Sequence, residues 1–163
     1  MREIRIEKVT LNIGCGDDKQ KIEKAQKLLE KLTEGKPVVT ISKRRSTFGI
    51  AKGRPLGVKV TLRKNKAEQF FNSVLKSADN KVKESQVDNG GNISFGIREY
   101  IDLPNVRYSP EIGMLGMDAS VTLERPGYHV KKRRVRKAII GKKHKINKAD
   151  TINWLKQRGV IVE

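Results

Sequence analysis

The sequence predicts an α+β fold: a split β-α-β-β-α-β core, with a mostly antiparallel sheet whose helices pack on one face, plus a basic loop and a C-terminal helix. Three observations predict it. Leu56, Val58, Val60 and Leu62 alternate with Lys59, Thr61 and Arg63, the pattern of a half-buried strand. Ile22, Ala25, Leu29 and Leu32 recur at helical spacing. Segments of these two kinds then follow one another as strand, helix, strand, strand, helix, strand. With 163 residues, no internal repeat and no low-complexity linker, a single domain over residues 1–163 is expected.

Taken in order, residues 3–13 read as the first strand. Ile4 and Ile6 alternate, then Val9, Leu11 and Ile13 alternate in the opposite phase, which predicts a bulge or bend near Glu7 and Lys8. Gly14 and Gly16 end the strand, and Asp17 or Asp18 can cap the following helix by accepting its unpaired N–H groups. Gly35 and Pro37 stop that helix. Val39 and Ile41 mark a second strand, and residues 56–62 the third. Asn65 with Glu68 suits a capping pair. The second helix buries Phe70 or Phe71, Val74, Leu75 and Ala78. Ile93, Phe95 and Ile97 form a fourth strand, and Ala119, Val121 and Leu123 a fifth. A last helix over 148–158 turns Ala149, Ile152 and Leu155 inward and ends at Gly159. Residues 160–162 add a closing strand.

Charge narrows the function. The chain carries 36 Lys and Arg against 18 Asp and Glu, a net +18. Residues 41–66 hold nine basic residues and no acidic one, and residues 125–163 hold thirteen basic against two acidic. Between them, residues 67–124 hold nine acidic against five basic. Cations gathered into blocks repel one another unless phosphates or counterions neutralise them, so a nucleic acid is the expected partner. No apolar run approaches the ~20 residues of a membrane-spanning helix. The start, MREIRIEKVT, mixes charge with apolar residues and is unlike a secretory leader. A cytoplasmic protein without membrane partners is expected. One cysteine, Cys15, excludes an internal disulfide framework.

Catalytic chemistry finds no support. Gly14-Cys15-Gly16 begins like a dinucleotide fingerprint, but Lys19 stands where its third glycine belongs. No pattern pairs Cys15 with His129 or His144, and a small buried side chain is the simpler role for it. Asp17 and Asp18 precede a helix and suit capping. The basic blocks lack the convergent carboxylates that metal-dependent nucleases use. No catalytic residue, metal or cofactor is expected.

Two segments carry the candidate contacts. In KRRSTFGIAKGRP (residues 43–55) the cations flank an apolar centre of Phe48, Ile50 and Ala51. Either that centre packs against a partner while arginines grip phosphates, or it folds back on the core with its cations solvated. In RPGYHVKKRRVRKAIIGKKHK (residues 125–145), Tyr128 and His129 offer flat surfaces beside Lys131, Lys132, Arg133, Arg134 and Arg136. That mixture suits RNA grooves and splayed bases, a localisation signal or a flexible tail, although Ile139, Ile140 and the following helix argue for order. The open face of the sheet, with Lys59, Thr61 and Arg63, can also receive RNA.

VTLNIGCG (9–16), KPVVT (36–40), RPLGVKVTLR (54–63) and GGNISFGIREYIDLP (90–104) together resemble the universal large-subunit ribosomal protein five family, the 5S rRNA-binding proteins of the central protuberance. YSPEIGMLGMDASVTLERPGYHVKKRR (108–134) is similar to its archaeal and eukaryotic branch, whose eukaryotic member is large-subunit protein eleven. The resemblance runs through nearly the whole chain. It implies a non-enzymatic constituent of the large ribosomal subunit, with 5S rRNA, large-subunit rRNA and neighbouring 5S-associated proteins as partners. Asn12 and Thr61 match family positions that contact 5S rRNA. Lys59, Arg63, Tyr128, His129, Lys131, Lys132, Arg133 and Arg134 join them as the expected rRNA-binding set. Where the bacterial branch carries Gln before its Lys-Pro, this chain has Gly35, without a side chain for that contact. The loop over residues 44–54 maps to the family's contact with peptidyl-site tRNA, through Arg44, Arg45, Ser46, Thr47, Phe48, Lys52 and Arg54. Residues 106–118 map to the bridge toward small-subunit protein thirteen. The alternative is an RNA-binding or architectural nucleic-acid-binding module outside the ribosome.

Overall fold

The computed structural model describes residues 1–45, 49–104 and 106–163. In chain order the elements are β1 (Arg5–Gly14), α1 (Lys19–Thr33), β2 (Val38–Ile41), β3 (Pro55–Leu62), α2 (Lys64–Ser77), β4 (Lys81–Val82), β5 (Ile93–Ile97), β6 (Met117–Glu124), α3 (His129–Lys132), α4 (Lys148–Gln157) and β7 (Ile161–Val162). Single 3₁₀ turns lie at Glu84–Gln86, Tyr100–Asp102 and Lys142–His144. The α+β architecture expected from the hydrophobic pattern is present. Five strands form an antiparallel sheet in the order β2-β3-β1-β6-β5. The fifth predicted strand, β6, inserts between β1 and the fourth predicted strand, β5. The closing strand β7 pairs in parallel with β4 as a separate two-stranded sheet.

The chain divides into two compact units. One comprises Thr10–Leu62 and Phe95–Ala119. In it, α1 starts at Asp18, whose carboxylate accepts the Gln20 and Lys21 N–H groups, satisfying donors that the first turn leaves orphaned. Its buried face is Ile22, Ala25, Leu28, Leu29 and Thr33, with Leu32 only half-buried. Leu28 therefore takes the place expected of Leu32, because the apolar stripe ends on Thr33, whose hydroxyl donates to the Leu29 carbonyl at 2.7 Å. This face packs on β3, where Val58, Val60 and Leu62 are buried. Each such side chain contributes about 1.5–3 kcal/mol on burial. β2 and β3 pair antiparallel, with Val38 opposite Lys59 and Thr40 opposite Gly57. Gly57 is required by contact: a Cβ there would stand 2.3 Å from the Ile13 carbonyl oxygen. The turn after β1 is held by the Cys15 N–H donating to the Leu56 carbonyl. Burial first, and the Asp18 charge second, push the Cys15 thiol above its ordinary value, so it is a poor nucleophile.

The other unit comprises Met1–Val9, Arg63–Ser94 and Ser120–Glu163. β3 hands over to α2 through an extended Arg63, which occupies the N-cap position without a side-chain bond. Asn65 therefore lies inside the first turn, and the expected Asn65–Glu68 pair gives way to an ion pair of Glu68 with Arg158 at 3.2 Å. Both Phe70 and Phe71 are buried, with Ala67, Val74 and Leu75. α4 buries Thr151, Trp154 and Leu155, not the expected Ala149 and Ile152, of which Ala149 is exposed and Ile152 half-buried. The rotation follows Trp154. Its ring lies 5.9 Å from Phe71, its indole N–H donates to the Ile4 carbonyl at 3.1 Å, and the Arg158 guanidinium sits 4.2 Å over its face. Thr151 completes that face by donating its hydroxyl to the Gly91 carbonyl. No helix among the described residues is long and apolar enough to cross a membrane.

Candidate nucleic-acid interface

In the unit containing α1, period-two alternation decides which side chains reach solvent. Leu11 and Ile13 of β1 and Val58, Val60 and Leu62 of β3 are buried toward the helix, so Asn12, Lys59 and Thr61 emerge exposed on the opposite side. β1 and β3 are neighbours in the sheet, and β2 adds the exposed Val38 directly across from Lys59. The stretches 10–14, 38–41 and 55–62 contain no acidic residue. What results is an exposed patch of Asn12, Thr61 and Lys59 beside the apolar Val38, with hydrogen-bonding groups, one cation and no carboxylate to repel a sugar-phosphate backbone.

The basic loop rises from a closed base. The Ser42 N–H donates to the Arg54 carbonyl at 2.8 Å, and the Gly53 N–H donates to the Ser42 carbonyl at 2.9 Å. Lys43, Arg44, Arg45 and Lys52 are exposed, and Ile50 is half-buried. Arg54 differs from the rest because its guanidinium pairs with Asp17. Ser46, Thr47 and Phe48 lie outside the described residues.

Of the segment 106–118, residues 106–116 follow the Tyr100–Asp102 turn, and Met117 and Asp118 open β6. The Tyr100 hydroxyl accepts the Ser109 N–H at 3.0 Å, and Ile112 is buried, which leaves Tyr108 and Met114 exposed.

The second unit holds the other candidates, and here the structure adds partners that the sequence does not announce. Glu7 of β1 and Glu124 of β6 are both largely buried carboxylates. Lys132 reaches both, at 2.5 Å from Glu7 and 3.7 Å from Glu124. Arg63 lies 3.8 Å from Glu7, and Arg5 lies 2.9 Å from Glu124. Two of the expected rRNA-binding cations, Arg63 and Lys132, are thus held by an acid pair. Glu7 and Glu124 are far apart in the chain, and only strand order in the sheet brings them together.

Tyr128 is likewise committed. Its hydroxyl accepts the Ile146 N–H at 2.8 Å and donates to the His144 carbonyl at 3.2 Å, while its ring meets the His144 ring edge-on. It fastens the segment 144–146, and these bonds fix the position of its ring. Arg125 fastens the same segment: it is buried, pairs with Asp150 at 3.0 Å and reaches the His144 and Lys145 carbonyls. Arg133 donates to the Arg136 carbonyl. His129, Lys131 and Arg134 are exposed and enter no ion pair among the described residues.

The molecule is thus a basic α+β protein with cation-rich surfaces, and among the described residues no group of three or more His, Cys, Asp or Glu is placed to hold a metal ion. Residues 1–50 match the family described as ribosomal protein L5, and residues 55–154 match the model for the C-terminus of that same ribosomal family. The large ribosomal subunit protein uL5 of Sulfurisphaera tokodaii is 50% identical over 159 residues, covering 96% of this chain and 90% of that protein. Its counterpart in Archaeoglobus fulgidus is 46% identical over 164 residues, covering 100% and 92%. That of Nanoarchaeum equitans is 47% identical over 159 residues, covering 96% and 94%. The chain belongs to the ribosomal protein L5 family, in its archaeal branch. The family is structural and non-enzymatic.

Proposed function

We propose that this chain, as a structural constituent of the large ribosomal subunit, anchors 5S rRNA through the face that carries Asn12, Lys59 and Thr61. On this reading the protein works on the cytoplasmic ribosome, with large-subunit rRNA and neighbouring 5S-associated proteins around it. The observation that carries the reading is the exposed side of the acid-free stretches 10–14, 38–41 and 55–62, backed by a buried helix-facing side. An ordered surface loses little entropy on binding.

The loop over residues 44–54 has a different part. Its exposed Arg44, Arg45 and Lys52, held above a closed base, suit the phosphates of the peptidyl-site tRNA. Residues 106–118, presenting Tyr108 and Met114, suit a protein partner, and the family resemblance is what supports small-subunit protein thirteen in that place.

A footprint of the purified protein on 5S rRNA tests the anchor. Protection by the wild type that fades in an Asn12→Ala, Thr61→Ala double variant supports it. No protection, or protection indifferent to both substitutions, removes it.

A further inference from the structure

We propose that the pocket between α3 and the segment 137–146 receives one or two bases splayed out of single-stranded rRNA; the proposal rests on rRNA being the partner. The pocket has a volume of about 670 Å³. Its apolar lining is Ala138, Ile139, Ile140 and Ile146, with the Tyr128 ring. Ile139 is 90% exposed, although hydrophobic residues make up only 36% of this chain. Its cationic lining is Lys131, Lys137 and Lys145, and no acidic residue lines the pocket. None of these lysines is ion-paired among the described residues; Asp150 holds Arg125, and Glu7 and Glu124 hold Lys132.

The chemistry of the occupant follows. An apolar lining surrounded by unpaired cations fits a flat, weakly polar group carried on an anionic chain. A nucleotide in single-stranded RNA has that form, a base joined to phosphates. The walls are built in advance. Tyr128 clamps the His144 carbonyl and the Ile146 N–H, and the Ala138 N–H donates to the Val130 carbonyl. A preformed pocket spares the cost of ordering the segment on binding.

The test uses two labelled hexaribonucleotides of equal charge, hexa-adenylate and its abasic counterpart, with binding to the full chain read by fluorescence anisotropy. Wild type should bind hexa-adenylate about tenfold more tightly than the abasic strand, as expected when a base covers the apolar surface of Ile139 and Ile140. Ile139→Ser with Ile140→Ser should abolish that ratio while leaving abasic binding intact. Lys131→Gln with Lys137→Gln and Lys145→Gln should weaken both strands and keep the ratio. Because Ile139 is exposed, its single Ser variant serves if the double variant melts early. Equal affinity of wild type for both strands overturns the proposal. So does a ratio that survives the serine variants, or tighter binding of an acidic amphipathic peptide that competes with hexa-adenylate. Failure here, with the 5S rRNA footprint still dependent on Asn12 and Thr61, would remove the pocket's role and leave the anchor standing.

Discussion

The Lys132 ammonium lies 2.5 Å from the Glu7 carboxylate, and the Glu7 side chain is only 9% exposed. A cation from the most basic part of the chain is therefore committed to holding α3 to β1. Together Glu7 and Glu124 occupy Lys132, Arg63 and Arg5, none of which is then fully available to phosphate.

Converting both acids to amides, Glu7→Gln with Glu124→Gln, should release these cations. RNA affinity should rise at low salt and fall more steeply as salt increases. Each newly engaged cation should add about 0.7–0.9 to the logarithmic slope, the value per phosphate neutralised. Filter binding across a salt series measures it. An unchanged slope would mean that the three side chains stay out of reach of phosphate even when freed.

Asn12→Ala and Thr61→Ala should each weaken 5S rRNA binding by about 1–3 kcal/mol, the cost of leaving a hydrogen-bond partner unpaired. Both side chains are exposed, so the melting temperature should stay close to that of wild type. A large drop in melting temperature with unchanged affinity of the folded fraction would instead assign Asn12 to the turn at Gly14.

Arg44, Arg45 and Lys52 should be separable from the anchor. Replacing the three with Gln should leave isolated 5S rRNA binding largely intact, because exposed charges act over only ~10 Å at 0.1 M salt. tRNA retention in assembled ribosomes should fall. Arg54 belongs to another class, since Arg54→Gln breaks an exposed pair with Asp17 worth under about 1 kcal/mol. Equal loss of 5S rRNA binding in the triple variant and in Asn12→Ala would make the loop part of the anchor.

Gly57→Ala should destabilise the fold by about 1–3 kcal/mol or more, as overpacking does. The new methyl would meet the Ile13 carbonyl oxygen at 2.3 Å, and the atoms nearest it are all backbone of Ile13 and Gly14, which leaves little to yield. Thermal melting reads the effect directly. A melting temperature equal to wild type would show that β1 and β3 can spread without loss.

Much of this architecture was legible because period and punctuation are local. The alternation at 56–62, the Asp18 cap and the Gly159 terminator each depend on neighbours a few residues away, and each appears in the structure. The failures share a cause. Which face α4 buries was set by Trp154 meeting Phe71 and Ile4, and no spacing within residues 148–158 encodes those distant partners. β6 has strand periodicity, but its place between β1 and β5 is a property of the sheet. The candidate site divides the same way. Exposure of Asn12, Lys59 and Thr61 follows from alternation, whereas the capture of Lys132 by Glu7 does not. One signal was readable in hindsight: AII at 138–140, apolar residues inside a lysine-rich stretch, marks a pocket wall.

The hydrogen bond from Trp154 to Ile4 joins positions 150 residues apart. Closing so long a span carries a high loop entropy, which slows folding of chains rich in such contacts. During synthesis the Ile4 carbonyl, just ahead of β1, must wait for the last helix to leave the ribosome tunnel before the indole N–H reaches it. Since Trp154 is the chain's single tryptophan, its fluorescence is a built-in clock for the end of that wait.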